Sequence, residues 1–199
     1  MKGEIMLNEQ LSKKLNLGAG EFPKEGYVNV DFYSNSDQNI RHDLELIPYP
    51  FPEDHFEVIE ADHVLEHLSK PFEIMRELYR ISADGATIRI RVPHFSRGLT
   101  HADHKRGFDV TFPYYFDPDF KPGYQNTPLT LTGMRLRWFA QPYLKKQVLP
   151  APAYYFGLVV GAIFDFFANL SPWACSRIWC FWVGGFEEIE FRFRVEKIK

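Results

Sequence analysis

Leu15-Asn16-Leu17-Gly18-Ala19-Gly20, followed by Tyr27-Val28-Asn29-Val30-Asp31, is the stretch that decides the fold. The first run reads as a buried strand ended by glycines, the second as a strand closed by a carboxylate. Glycines at a strand's carboxyl end let the backbone approach a ligand, and an acid ending the next strand can accept from both ribose hydroxyls. That logic serves any adenosine cofactor; a plain tight turn is the alternative for the glycines taken alone. Only about nine residues join the two strands, short of the dozen or so a helical crossover takes. Without a full helix there is little N-terminal dipole to hold a pyrophosphate, and the third glycine of the dinucleotide pattern is missing from its usual place. The residues weigh against a nicotinamide dinucleotide and favour S-adenosylmethionine, which has no pyrophosphate.

Outward from this core, residues 11–93 alternate short apolar runs with turn signals, the rhythm of βα units. A short third strand is expected from Ile40 to Asp43 and a fourth over Phe56-Glu57-Val58-Ile59-Glu60-Ala61. Val64, Leu65, Leu68, Phe72, Met75, Leu78 and Ile81 recur at helical spacing, with Ser69-Lys70-Pro71 splitting them into two helices. Asp84-Gly85 is expected to turn the chain into the strand Thr87-Ile88-Arg89-Ile90-Arg91-Val92. The alternation from Ile189 to Val195 predicts a terminal antiparallel strand with one buried face.

These motifs, with Asp43-Leu44, Phe51-Pro52-Glu53-Asp54-His55-Phe56, His63-Val64-Leu65-Glu66-His67 and Asp84-Gly85, resemble the small class I S-adenosylmethionine-dependent methyltransferases of the methyltransferase-11-like, short-loop subgroup. The resemblance covers residues 11–93 well, the terminal strand loosely and the middle hardly at all. It implies a Rossmann-like α/β fold: a seven-stranded sheet, mostly parallel, with an antiparallel C-terminal strand. It also implies that Gly18 and Gly20 pass under the methionine part of the cofactor, with Leu17 and Ala19 among the cofactor-binding residues. Asp31 would bind the ribose, with Phe32 beside the adenine. Asp43 would accept from the adenine amino group, and Leu44 would donate through its backbone. Ala61, Asp62 and His63 would line the sulfonium side. Glu57 stands where the family usually has Asp, at a structural position.

The second constellation is His94, His101, Asp103 and His104, with Phe108 after it. His94 follows the fifth strand, and ligands of open α/β sheets bind beyond strand carboxyl ends. Methyl transfer to a hydroxyl needs a base near the acceptor oxygen, which suits a neutral histidine. His104, His94 and His63 are the candidate catalytic residues, and His101, Asp103 and Phe108 the candidate acceptor contacts; Asp103-His104-x-x-x-Phe108 resembles an acceptor-loop pattern of related methyltransferases. A metal site from His101, Asp103 and His104 is the weaker reading, since ligands one or two residues apart rarely close a shell, and no metal is expected. Solvated loop histidines are the other alternative. Glu66-His67 reads as a structural pair ending a short helix.

The totals fit one domain over residues 1–199: a cofactor half (11–93), acceptor loops with an apolar helical insertion (94–185) and a terminal strand (186–199). Net charge is −3, which argues against nucleic acid as a partner. Two cysteines make no disulfide framework, and the first ten residues show no apolar leader core; a cytoplasmic protein is expected. Aromatic residues make up 17% of the chain, 19 of them Phe, and the surplus has to pack somewhere. The apolar block from Ala151 to Leu170 barely reaches the length of a membrane span and contains Asp165. It reads equally as a helix on the inner membrane face, with 151–182 as a peripheral contact, and as a core or homodimer element. The expected acceptor is a small molecule or lipid-linked, such as a sugar or glycan hydroxyl. A quinone or phenol and a non-catalytic partner subunit are the alternatives.

Overall fold

The computed structural model describes residues 11–33, 37–98 and 101–197, so the leader expectation for residues 1–10 lies outside them. One sheet of seven strands organises the chain, in the order β3-β2-β1-β4-β5-β7-β6. β1 (Lys14–Leu17), β2 (Val28–Asp31), β3 (Asn39–Arg41), β4 (Phe56–Asp62) and β5 (Ser82–Pro93) run parallel. β7 (Glu188–Val195) is antiparallel to both β5 and β6 (Leu129–Arg137). This is the expected seven-stranded arrangement.

Each strand has an apolar and a polar face because its side chains alternate. Leu15, Leu17, Val30, Ile59, Ala61, Ile88 and Ile90 form the apolar face. Against this core packs α1 (Pro71–Ile81), whose Ile74, Met75, Leu78 and Ile81 are buried. The other face carries Asn16, Asn29, Glu60, Asp62, Arg89, Arg91 and Glu190, brought into line by register: Asn16 opposite Asn29 and Glu60, Glu60 opposite Arg89, Asp62 opposite Arg91, Arg91 opposite Glu190. Right-handed crossovers in opposite directions along a sheet lie on opposite faces, so a helix between β1 and β2 would cover this polar face. The 18–27 connection holds turns and no helix. It folds under the strands instead, held by Asn29 Oδ1, which accepts from Lys24 N at 2.8 Å, and by Asn29 Nδ2 donating to the Lys24 carbonyl at 3.0 Å.

Three expectations are corrected. The segment after β4 is a run of turns rather than a first helix, closed by i→i+3 bonds from His67 N to Val64 O and Leu68 N to Leu65 O; Pro71 cannot continue a helix from before it and instead opens α1. Asp84-Gly85 lies inside β5, where Phe56 pairs with Ser82 but Val58 already with Thr87, so the turn is absorbed as a bulge. The middle of the chain contains a full strand, β6, besides the short α2 (Phe95–Gly98) and α3 (Pro142–Val148).

The apolar block forms α4 (Ala151–Ala168), followed by α5 (Pro172–Arg177). By length and composition α4 could cross a membrane, yet it is anchored to the sheet at the end of β6. Asp165 Oδ1 accepts from Trp138 N at 2.6 Å, and Asn169 exchanges bonds with the Leu136 backbone at 2.8 and 2.9 Å. Gly157 and Gly161 let the helix sit on Phe139: a Cβ on Gly161 would meet Phe139 Cβ at 2.7 Å. Gly161→Leu should therefore destabilise the fold by about 1–3 kcal/mol through overpacking, read as a lower urea midpoint at unchanged slope.

Candidate active site

The carboxyl ends of β1, β2 and β4 open on a cavity of about 470 Å³, within the range of small-molecule sites. Gly18, Asp31, Phe32, Asp43, Leu44 and His63 line it together. Gly18 has φ +66°, and a Cβ there would meet Val64 Cγ2 at 2.2 Å, so only glycine lets β1 turn this closely past Val64. Asp31 is oriented by two backbone donors, Gly20 N to Oδ2 at 3.0 Å and Tyr33 N to Oδ1 at 2.8 Å. Arg41 lies over the Phe32 ring at 5.3 Å.

The other predicted cofactor residues act differently. Leu17, Ala19 and Ala61 are buried in the core and can offer only backbone; Ala19 N is already bonded to the Val30 carbonyl. Asp62 belongs to a neighbouring cavity of about 600 Å³ on the polar face, where Lys24 (3.2 Å) and Arg89 (3.3 Å) hold its Oδ2.

His63 lines both of these cavities and a third of about 520 Å³. Its φ is +57°, and its Nε2 lies 2.9 Å from Glu188 Oε2, its Nδ1 3.4 Å from Glu66 Oε1. Burial works to lower its pKa, but Glu188 and Glu66 outweigh it and hold the imidazole up at about 9. So held, the imidazole keeps its proton at neutral pH and offers no lone pair, which weighs against His63 as a base.

His94 and Phe108 are also corrected. His94 is fully buried, with its ring nitrogens against Ser96 Oγ (2.7 Å) and Ser176 Oγ (2.8 Å). Burial pulls its pKa down to about 4, with Asp109 opposing; it is a neutral core residue and lines none of the three cavities. Phe108 is buried against Phe112, its backbone bonded to Pro93 and Phe95, so it anchors the loop rather than touching an acceptor. His101 and His104 stack at 4.5 Å and line the 520 Å³ cavity, and Asp103 lines the 470 Å³ cavity while pairing with His67 at 3.1 Å.

Sequence reasoning missed what locks this loop in place. Lys105 N donates to the Glu66 carbonyl at 2.9 Å, Lys105 Nζ reaches Glu45 (3.1 Å) and Ser69 Oγ (2.8 Å), and Arg106 reaches the Ser69 carbonyl (2.8 Å). Burial works to raise the Glu45 carboxyl, but bonds from Ser69 and Lys105 win and hold it below its ordinary value. The pattern of charges in the sequence carries no sign of this clasp, whose parts are separated along the chain.

No protein-family model and no curated relative matches the chain. Solved structures do. An S-adenosylmethionine-dependent methyltransferase from Archaeoglobus fulgidus matches 93% of this chain and 86% of its own, with a TM-score of 0.52 at 14% identity. The YcgJ protein from Bacillus subtilis matches over 95% of both chains, with 0.52 at 12%. The methyltransferase bound to the Haloferax volcanii Trm112 methyltransferase activator matches 94% of this chain and 82% of its own, with 0.53 at 12%. The fold is that of the class I S-adenosylmethionine-dependent methyltransferases. Within that fold, the 470 Å³ cavity lies at the strand ends where open α/β sheets take ligands.

The charge on His63 has a pH signature. Its pKa is raised on folding, so its stabilising contribution is full below the ordinary value of 6.5, declines through the interval above it, and is gone past about 9. The stability gap between wild type and His63→Gln, measured by urea unfolding, should shrink across that window; a gap that is flat from pH 6 to pH 10, both about the limits set by these pKa values, would contradict the imidazolium assignment.

Proposed function

We propose that the protein transfers a methyl group from S-adenosylmethionine to an oxygen of a hydroxylated acceptor, such as a sugar or a lipid-linked glycan. The observation that carries this is the single cavity uniting Gly18, Asp31, Phe32, Asp43 and Leu44. The residues fit the cofactor: Gly18 brings the end of β1 to the cavity with no side chain of its own, and Asp31 is a pre-oriented carboxylate at the end of β2. Asp31 would hold the ribose hydroxyls, Phe32 would pack beside the adenine, and Asp43 with the Leu44 backbone would read the adenine edge. When bound, the cofactor supplies an electrophilic methyl on a sulfonium.

The chain's own contribution is positioning and exclusion of water. His63, at the junction of the cavities, orients by charge and takes no proton. The 101–108 loop, clasped by Lys105, roofs the cofactor cavity. Of the candidate catalytic histidines, His104 lines the 520 Å³ cavity without the charge that His63 carries or the core position that His94 takes. That 520 Å³ cavity is lined by Arg97, Gln141, Lys145 and Glu187 as well as the histidines, a polar wall that suits hydroxyls better than a quinone or phenol.

Calorimetric titration with S-adenosylhomocysteine tests the cofactor. Micromolar binding by wild type is expected, weakened in Asp31→Ala by about 1.5–3 kcal/mol, the value of hydrogen bonds to a charged group, which is roughly tenfold or more. Binding of reduced nicotinamide dinucleotide instead would overturn the reading. His104→Ala should keep this binding and lose methyl transfer.

The lipid-linked acceptor rests on α4. Tyr155, Phe156, Val159, Ile163, Phe166 and Phe167 are exposed along it, and Trp173, Ile178, Phe181 and Trp182 continue the apolar surface. On this reading the protein works in the cytoplasm, bound peripherally to the inner membrane face through 151–182. It should sediment with phosphatidylglycerol vesicles, and Phe156→Glu/Phe166→Glu/Trp182→Glu should stay in the supernatant. A vesicle-free homodimer whose dissociation by the same substitutions exposes this face would assign the surface to a second copy instead, and a complex with a protein activator, the arrangement of the Haloferax relative, would assign it to a partner.

A further inference from the structure

Glu66 is fully buried, and among the described residues neither carboxylate oxygen receives a hydrogen bond. A dry carboxylate without a hydrogen bond carries a desolvation cost that the His63 contact at 3.4 Å offsets only in part. Imidazoles surround it. His67 Nε2 and His104 Nε2 each stand 4.0 Å from Glu66 Oε1, and the His63 Nδ1 contact at 3.4 Å lacks hydrogen-bond geometry. The other His67 nitrogen, Nδ1, faces Asp103: Oδ2 at 3.1 Å and the carbonyl oxygen at 3.3 Å. Both are acceptors, so the ring proton belongs on Nδ1, and Nε2 presents a lone pair toward a carboxylate that also has only lone pairs to offer. A gap of 4.0 Å between two such donors of electron pairs is the space of a cation.

We infer that Glu66, His67 and His104 bind a divalent transition-metal ion. Their ligand atoms all lie within 4.8 Å of one another, and bonds of about 2.0–2.1 Å in a tetrahedral shell would bring them to roughly 3.4 Å. Small side-chain rotations cover that difference. Two imidazoles with one carboxylate suit zinc, iron(II), cobalt(II) or nickel(II) rather than magnesium or calcium. Asp103 on His67 Nδ1 is the outer partner that fixes the tautomer of a metal-binding histidine. Glu66, His67 and His104 line the 520 Å³ cavity, so the remaining coordination position would face the acceptor side. A bound ion would take the His104 lone pair, and His104 would then serve the acceptor as a ligand of that ion rather than as a free base; this clause alone rests on the methyl-transfer reading.

The test is titration of EDTA-stripped protein with zinc chloride, followed by calorimetry, with the cobalt(II) absorption band as a second readout of the ligand set. Wild type should bind one equivalent. Affinity should fall at least tenfold in His67→Ala and in His104→Ala, fall by about 10–100-fold in Asp103→Asn, the range for outer-shell partners, and stay unchanged in His55→Ala. Glu66→Gln keeps the shape and removes the charge: it should abolish the rise in melting temperature that zinc gives wild type. No zinc binding by wild type that is folded by circular dichroism would overturn the site. So would full affinity in both histidine variants, or a zinc-dependent rise that survives in Glu66→Gln. Titration with S-adenosylhomocysteine reads the cofactor proposal separately, so either can fail without the other.

Discussion

The connection between β1 and β2 is too short for a helix, and most of the molecule follows from that. With no helix between β1 and β2 to cover their share of the face opposite α1, the loop itself must lie against these strands, and its backbone groups must find partners there. Asn16 and Asn29 supply them. They sit side by side in register, joined by a 2.9 Å bond from Asn16 Nδ2 to Asn29 Oδ1, and both reach loop backbone. The same face carries charges ordered so that opposites meet: Lys24 of the loop and Arg89 of β5 on Glu60 at 2.6 and 2.8 Å, and Arg91 on Glu190 across strands at 2.6 Å.

That charged face and the apolar face end at the same place, the carboxyl end of β4, where His63 turns out of the strand. Glu188 enters from β7 and Glu66 from the turn after β4, so one imidazole ties the antiparallel half of the sheet to the parallel half. A group charged by two carboxylates is a poor proton acceptor but a good fixed point: three cavities share it, and a shift of β7 would be felt in each of them. The geometry thus separates roles that the sequence presents as one cluster of histidines. His63 holds charge, His94 holds the core, and His67 and His104 face a buried carboxylate.

How far the sequence could be read depended on whether a residue's role was local. Gly18, Gly20 and Asp31 were legible because a turn and a strand end are set by their immediate neighbours. The alternation Ile88-Arg89-Ile90-Arg91-Val92 marked one polar face for β5, and β7 likewise from Ile189 onward. β6 was hidden because its register shifts between Leu131 and Gly133, which breaks the alternation that would have signalled it. His94 was misread because following a strand says where a residue lies but not which face its side chain takes; Ser176, which settles the face, is 82 residues away. Glu66 and His67 looked structural because their partners arrive only when the 101–108 loop folds over them.

The apolar helix α4 is where the two sides of the molecule meet. Its inner side is small and polar: Gly157, Gly161 and Asp165 seat it on Phe139 and Trp138, and Gly161, Ala162 and Asp165 also line the 600 Å³ cavity beside His63, Arg91 and Glu188. Its outer side is almost wholly aromatic or aliphatic and faces solvent. Burial raises the Asp165 carboxyl while the Trp138 amide stabilises its charged form. The helix that presents the exposed apolar side is therefore also a wall of the cavity next to His63. Asp165 and Gly161 thus belong at once to the seat of α4 and to its approach to the site.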